Sequence, residues 1–399
     1  MIKNAITPLT GIRVVELSHM VMGPSTGLLM ADLGAEVIKI EPIDGDKTRN
    51  LRGSGAGYFS MYNRNKKSIS LDLKSDEGLE IAKKIISGSD VLIENFRSGT
   101  INRLGLDYEA LSITNPDLIY CSEKGFLSGP YEKRTALDEV AQMMGGLAYM
   151  TGPPGQPLRA GASVIDVMGG TFGVVTILAA LLERGTTGKG KLIHIGLYET
   201  CVFLVGQHMA QYAVTGAAAN PMPVRISAWS VYDIFETSDN EKVFVGIVTD
   251  SQWRAFCEKF ELSDWAQDKS LVTNNQRIEK RTEILERLSS LFKTMTTKQL
   301  INNLSSFGAP FAPIKRPEDL FEDPHLNANG GLTSLNLPDG TETKLPSLPI
   351  EINGQRPSLK SDPPQIGQHS IKILNDLGFE DDEIQNLINK KVIGNALDK

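Results

Sequence analysis

The first two hundred residues alternate strand-like and helix-like segments, and no other feature narrows the fold so much. "IRVVELS" (12–18), "AEVIKIEP" (35–42), "DVLIENF" (90–96), "DLIYCSEKGF" (117–126) and "KLIHIGLYE" (191–199) read as strands. Between them, "PSTGLLMADLG" (24–34, closed by Gly34), "DEGLEIAKKIISG" (76–88) and "TINRLGLDYEALSITN" (100–115) carry helical spacing. A further apolar helix is expected over 168–184, just past Asp166. Strands alternating with helices at this spacing predict an α/β fold on a parallel, doubly wound sheet.

A chain of 399 residues is too long for one simple core, so more than one domain is expected. Prolines crowd into "NPMPVRISAWSVYDIF" (220–235) and again into "GAPFAPIKRPEDL" (308–320). Between these joints, strand-like "KVFVGIVT" (242–249) is followed by the charged helical run "QRIEKRTEILERLSSLFKTM" (276–295). The reading is a large domain over 1–220, a small α+β domain over 221–325, and a C-terminal segment over 326–399. Two helical patterns within 363–393 are expected to pack back on the large domain.

A net charge of −7 argues against nucleic acid or an anionic membrane as the main partner. The opening "MIKNAITPLTGIRVVEL" carries no basic-then-apolar leader. The apolar run near 171–182 is short for a bilayer and ends in Glu183 and Arg184. Cys121, Cys201 and Cys257 form no CxxC pair and are expected to be buried bystanders. A cytoplasmic enzyme is the expectation.

Several chemistries drop out. Glu41 ends the second strand where a ribose-binding acid would sit, but the first turn reads "SHMVMGPSTG" and lacks G-x-G-x-x-G. His19, His194, His208, His325 and His369 form no i,i+4 pair or His/Cys cluster, so no metal site is expected. Nucleophile-elbow and Walker motifs are missing too. His194 reads as a core histidine. His19 follows the first strand, at the edge where open α/β sheets bind ligands. Lys66, Lys67, Lys74, Arg97 and Arg103 gather on what read as loops of that edge, a plausible phosphate cradle.

Asp166, in "GASVIDVMGG", admits two readings. As a helix N-cap it is ordinary. As a carboxylate held at a helix N-terminus it is stabilised as the anion and available for covalent catalysis. Gly169 and Gly170 would leave room for a large ligand, and backbone N–H groups near them would stabilise oxyanions.

The order of motifs resembles the class III CoA-transferases, the family of formyl-CoA transferase and carnitine CoA-transferase. "GIRVVELS…GP…MADLGAEVIKIEP", "NRNKKSISLDLK", "DVLIENFRSGTINRLGLDYEAL", "GASVIDVMGG" and "IGQHS" carry it along nearly the whole chain. The resemblance implies a Rossmann-like large domain that binds coenzyme A and an interlocked homodimer. It makes Asp166 the catalytic aspartate, passing through an aspartyl anhydride and an aspartyl-CoA thioester. CoA contacts are implied at His19, Met20, Val21, Met22, Leu71, Lys74, Asn95, Phe96 and Arg103, with Asp138 close to the nucleophile. CoA thioesters are then the substrates, exchanged with a small carboxylic or dicarboxylic acid, and no tightly bound cofactor is implied.

Departures from the pattern point to a different acid. Val21 replaces the formyl-CoA enzyme's glutamine, with methionines beside it, which makes the acyl pocket more apolar. The glycine-rich lid loop has only "GIVTDSQ" (246–252) to answer it, and Arg134 lies one residue from the family's lysine position. A related α-methylacyl-CoA racemase needs acid/base groups on both faces of the α-carbon. Its histidine before the Asp138 position is Leu137 here, so the transferase reading is preferred. A silent CoA-binding subunit would have no need of Asp166.

Overall fold

The computed structural model describes residues 7–97, 99–225 and 227–394. In chain order its first part comprises β1 (Arg13–Leu17), α1 (Met22–Asp32), β2 (Glu36–Glu41), α2 (Tyr58–Tyr62), β3 (Lys66–Ser70), α3 (Asp76–Ser87) and β4 (Val91–Glu94). It continues with α4 (Thr100–Arg103), α5 (Tyr108–Thr114), β5 (Ile119–Lys124), α6 (Asp138–Met144), α7 (Leu147–Thr151), α8 (Val164–Thr187), β6 (Lys191–Gly196) and α9 (Leu197–Thr215). The six strands form one parallel sheet in the order β3-β2-β1-β4-β5-β6. Strand order reverses between β1 and β4, and at such a switch point the loops beyond the strand ends diverge and leave a crevice.

Period-two alternation builds a core on each face. Val14, Val37, Val91 and Ile119 face one way, against Met30, Ala31, Ile177 and Ala180 of α1 and α8. Val15, Ile38, Ile69 and Leu92 face the other, against Ile81 and Ile85 of α3.

The contacts divide the chain into two units, one of Val224–Asp323 and one of the remainder. The smaller unit has an antiparallel sheet, β7 (Val231–Glu236), β8 (Lys242–Ile247) and β9 (Phe311–Pro313), in that order. Helices α10 (Asp250–Lys259), α11 (Ser263–Gln267), α12 (Asn274–Glu279), α13 (Arg281–Phe292) and α14 (Thr297–Ser305) accompany it. Trp253, Phe256, Leu288 and Phe292 form its own core. The segment "GIVTDSQ" is the end of β8 and the start of α10, whose N-cap Thr249 accepts from Gln252 N–H.

The C-terminal part adds α15 (Pro324–Ala328), the hairpin β10 (Leu332–Asn336) and β11 (Glu342–Pro346), then α16 (Ser370–Asp376) and α17 (Asp381–Asn389). Ile373, Leu374, Ile384 and Leu387 join the α3 face of the large sheet, and Ile393 bridges to Leu71.

At the level of the fold the structure departs from the sequence reading in four places. "NRNKKSIS" is a strand, not a loop: Lys66 is 1 % exposed on β3, and Lys67 pairs with Glu36, so neither contributes to a phosphate cradle. The helix expected over 100–115 breaks at Gly105, whose φ of +62° ends α4 and starts a new turn. His194 is exposed, because Ile193 and Ile195 take the inward positions of the edge strand β6. Helix α8 has 24 residues and is long and apolar enough, by length and composition, to cross a membrane; here one face of it lies in the core. Cys121, Cys201 and Cys257 are all buried.

Candidate active site

The β1–α1 turn reaches the switch point without glycine at its tightest position. Met20 takes φ +67°, a left-handed conformation that side chains with a Cβ adopt reluctantly. The turn is tied across the crevice to the end of β4. His19 donates its backbone N–H to Asn95 Oδ1 at 3.0 Å, and its carbonyl accepts from Asn95 Nδ2 at 2.7 Å. The His19 ring stands 6.4 Å from that of Phe96, and partial enclosure lowers its pKa, so it is neutral at pH 7.

Two cavities meet at His19. One, of about 220 Å³, is walled by Met20, Met22, Asn95, Asp138 and Asp166 among others. The other, of about 580 Å³, is walled by Leu71, Lys74, Phe96 and the 41–47 loop. Together they bring to one place most of the residues picked out in the sequence.

Asp166 is the third residue of α8, not its N-cap. That corrects the capping alternative: the N-cap is Ser163, which makes no side-chain cap bond. The cap comes from Asp138, at the start of α6, whose Oδ2 accepts the backbone N–H groups of Ile165 (2.9 Å) and Asp166 (3.2 Å). Its Oδ1 accepts from Gln142 Nε2 at 2.6 Å and pairs with Arg159 at 2.9 Å. Asp138 therefore has a full set of partners, whereas the Asp166 carboxylate has no hydrogen bond to another side chain among the described residues. Burial first, and then the Asp138 charge, raise Asp166 to about 7, with Arg159 opposing. A carboxylate near neutrality, unpartnered and facing a cavity, is available as a nucleophile.

The two glycines serve packing. Gly169 and Gly170 are buried, and a Cβ at Gly170 would stand 2.8 Å from the Met22 carbonyl oxygen; one at Gly169 would stand 2.6 Å from Met22 Cε. They let α8 press against α1 and leave no space for a ligand. Lying past the first turn, their N–H groups belong to the helix ladder and are not free for an oxyanion.

Other expected positions scatter. Val21 is 1 % exposed and lines neither cavity. Arg103 is exposed and bonds Thr100 Oγ1 at 3.1 Å, just outside the larger cavity's wall, to which Thr100 and Leu104 belong. Arg97 is exposed and outside that wall as well. Arg134 stacks on Tyr131 and Phe126, away from both cavities. Glu41 is committed to scaffold bonds with Arg49 (2.7 Å) and the Asp46 N–H (2.8 Å). Among the described residues no group of three or more His, Cys, Asp or Glu is placed to hold a metal ion.

Sequence reasoning missed Tyr58, Glu123, Lys124 and Arg159, all in the smaller cavity's wall. For Glu123 a signal existed: an acid closing the strand "LIYCSEK" at the ligand edge of the sheet. Arg159 carries none, since only folding brings it to Asp138.

The model of CoA-transferase family III matches residues 9–370. The chain belongs to CoA-transferase family III. It is 33 % identical to a succinate–glutarate CoA-transferase of Agrobacterium fabrum, covering 94 % of this chain and 96 % of that one. It is 30 % identical to the human succinyl-CoA:glutarate CoA-transferase (98 % and 91 % covered). Among solved structures, a CaiB/BaiF family protein from Brucella suis superposes with a TM-score of 0.82 at 32 % identity, covering 93 % of this chain and 99 % of that one. Membership of family III makes the protein a CoA-transferase, and acyl-CoA thioesters are its substrates.

Proposed function

We propose that this family III CoA-transferase moves coenzyme A from succinyl-CoA to a small dicarboxylic acid, through covalent intermediates on Asp166. The observation that carries the reading is an unpartnered carboxylate, raised to about 7, in a small pocket joined at His19 to a second cavity large enough for part of a nucleotide. Relatives named for succinate with glutarate, for succinyl-CoA with glutarate and, in Chloroflexus aurantiacus, for succinyl-CoA with D-citramalate support the substrate class.

In the proposed sequence an Asp166 oxygen attacks the thioester carbonyl and expels CoA thiolate, leaving an aspartyl–succinyl anhydride. The thiolate adds to the aspartyl carbonyl and releases succinate, leaving aspartyl-CoA. The acceptor carboxylate attacks that thioester, re-forming an anhydride, and the thiolate then takes the acceptor's acyl group and frees Asp166. Anhydride and thioester are both activated, so no step falls into a deep well. Asp138 keeps the helix end and Arg159 in place, and Leu71, Lys74 and Phe96 contact the nucleotide end of CoA. A small pocket limits the water that would hydrolyse either intermediate. In the assembly we propose, two copies interlock, as the family resemblance implies; light scattering at low concentration tests it, and a native monomer would refute it.

Asp166→Ala decides the mechanism. The variant is expected to fold and to bind CoA, yet to lose transfer from succinyl-CoA by several orders of magnitude. Hydroxylamine added with succinyl-CoA is expected to convert Asp166 of the wild type to a hydroxamate about 15 Da heavier, located by peptide mapping. Residual activity in Asp166→Ala, or a hydroxamate elsewhere, refutes the route. Exchange of the α-proton in D2O without new thioesters would instead mark a racemase.

A further inference from the structure

We propose that Glu123 is a second substrate-contacting acid of this pocket, donating Oε2–H to the carboxylate of the acid substrate beside Asp166. The inference rests on the transferase reading above. Glu123 lies on β5, is 3 % exposed, and lines the same cavity as Asp166. Its Oε1 accepts from Thr26 Oγ1 at 2.5 Å, while its Oε2 is buried with no hydrogen-bond partner among the described residues. Buried polar atoms are almost always paired, so an orphan oxygen on a residue of the pocket wall marks a missing partner that a ligand atom can supply.

The surroundings decide which form of the acid is present. Glu16 on β1, Glu94 on β4 and Asp166 on α8 all face Glu123 with like charge. The cations nearby pair with other acids: Lys39 with Glu16 and Asp46, Lys66 with Glu16, Lys124 with Glu94, and Arg159 through Nη2 with Asp138. Burial, followed by these acids, raises Glu123 to about 8 despite the Thr26 bond. At neutral pH it is therefore a neutral acid, able to donate where an ionised one would repel.

Two other polar groups of the wall are engaged, while Arg159 Nε, also in the wall, is a second buried atom without a hydrogen-bond partner among the described residues. Both arms of the Asn95 amide hold the His19 backbone, and Tyr58 Oη contacts Ser163 Oγ at 3.4 Å. In this proposal Glu123 supplies the proton that binds one oxygen of the incoming or departing carboxylate, and the other oxygen faces the Asp166 carbonyl. Its proton stays on Oε2 throughout, so the bond orients the substrate and no atom is transferred.

The test measures kcat/KM for glutarate with saturating succinyl-CoA from about pH 6 to about pH 9.5. In the wild type it is expected to rise through about 7 as Asp166 ionises and to fall through about 8 as Glu123 loses its proton. Glu123→Gln keeps the rise and loses the fall, because an amide donates at every pH. Glu123→Leu lowers kcat/KM for glutarate roughly 10- to 100-fold and leaves KM for succinyl-CoA nearly unchanged. A wild-type-like Glu123→Leu, or an alkaline fall kept in Glu123→Gln, overturns the proposal. Infrared spectra of the CoA-loaded protein at neutral pH give a readout without turnover. In Asp166→Asn, where Asp166 contributes no carboxyl, a protonated-carboxyl band is expected that succinate shifts and that is absent from the double variant Asp166→Asn with Glu123→Gln. An Asp166→Asn protein without that band, or a band that succinate leaves unmoved, also overturns it. An active Asp166→Asn, by contrast, sinks the transferase mechanism and not the role of Glu123.

Discussion

Glu16 on β1 and Glu123 on β5 are both buried, 0 % and 3 % exposed, near the C-terminal ends of strands in one sheet. Glu16 receives Lys66 Nζ at 2.6 Å, Lys39 Nζ at 3.0 Å and Ser18 Oγ at 3.0 Å. Burial alone would push it up, but the two lysines outweigh burial and hold it below the usual carboxylate range. Glu123 receives Thr26 alone and is pushed up to about 8. Equal burial therefore produces opposite charge states, and the count of nearby donors decides between them. The satisfied acid ties β1, β2 and β3 together; the unsatisfied one is left for chemistry.

That contrast breaks most sharply in a pair of isosteric variants. Glu16→Gln leaves buried Lys66 without a carboxylate and Lys39 with Asp46 alone, and is expected to cost about 3–5 kcal/mol in denaturant unfolding. Glu123→Gln is expected to raise stability instead. The signs follow from linkage. The stabilisation from Glu16, whose folded pKa is depressed, is present above about 4.5, the unfolded value, and lost as pH falls through the folded value. Glu123 has a raised folded pKa, so its unfavourable effect grows as pH climbs from about 4.5 to about 8. The Tm gain of Glu123→Gln should accordingly be absent below that window and full above it. A Tm loss at high pH would refute the assignment.

Next in size is Gly170→Ala, where a methyl group would meet the Met22 carbonyl. Overpacking is expected to cost about 1–3 kcal/mol in thermal unfolding. If Gly170 lined a ligand site instead, stability would hold and KM alone would change. Asp138→Asn keeps an acceptor for the α8 N–H groups, so its cost should stay near 1 kcal/mol. Removing the like charge and freeing Arg159 both favour ionised Asp166. The acid limb of the pH–rate profile should then move to lower pH, and an unmoved limb would show that Asp138 does not set it. The smallest effects concern the larger cavity. Lys74→Ala should raise KM for succinyl-CoA several-fold with kcat unchanged, and Arg103→Ala, outside the wall, should raise it less. Equal effects would place both on the ligand.

Much of the site was legible because its markers are local. Asp166 stands out as the charged residue at the mouth of an apolar helix, and His19, Asn95 and Lys74 follow strands at the edge where α/β sheets bind ligands. Lys66 misled for a local reason as well: a Lys-Lys pair reads as surface, yet β3 carries one lysine inward to Glu16. Gly169 and Gly170 looked like an opening because a sequence does not show which helix will lie across them.

Periodicity and punctuation, properties of neighbouring residues, determined the alternating sheet and its helices, while the resemblance to the family pattern pointed to Asp166. Sequence alone also supplied Asp138, through the resemblance of "ALDEVAQ" to the family pattern. What only the tertiary structure decided is the ionisation of these groups. Asp138 caps a helix that begins 26 residues further on, Arg159 comes back from a loop to meet it, and Glu123 borrows its neighbours from β1, β4 and α8. Such pairings depend on strand order and on the close approach of α1 to α8. The free energy of a buried charge depends on every donor within a few ångströms, wherever it lies along the chain.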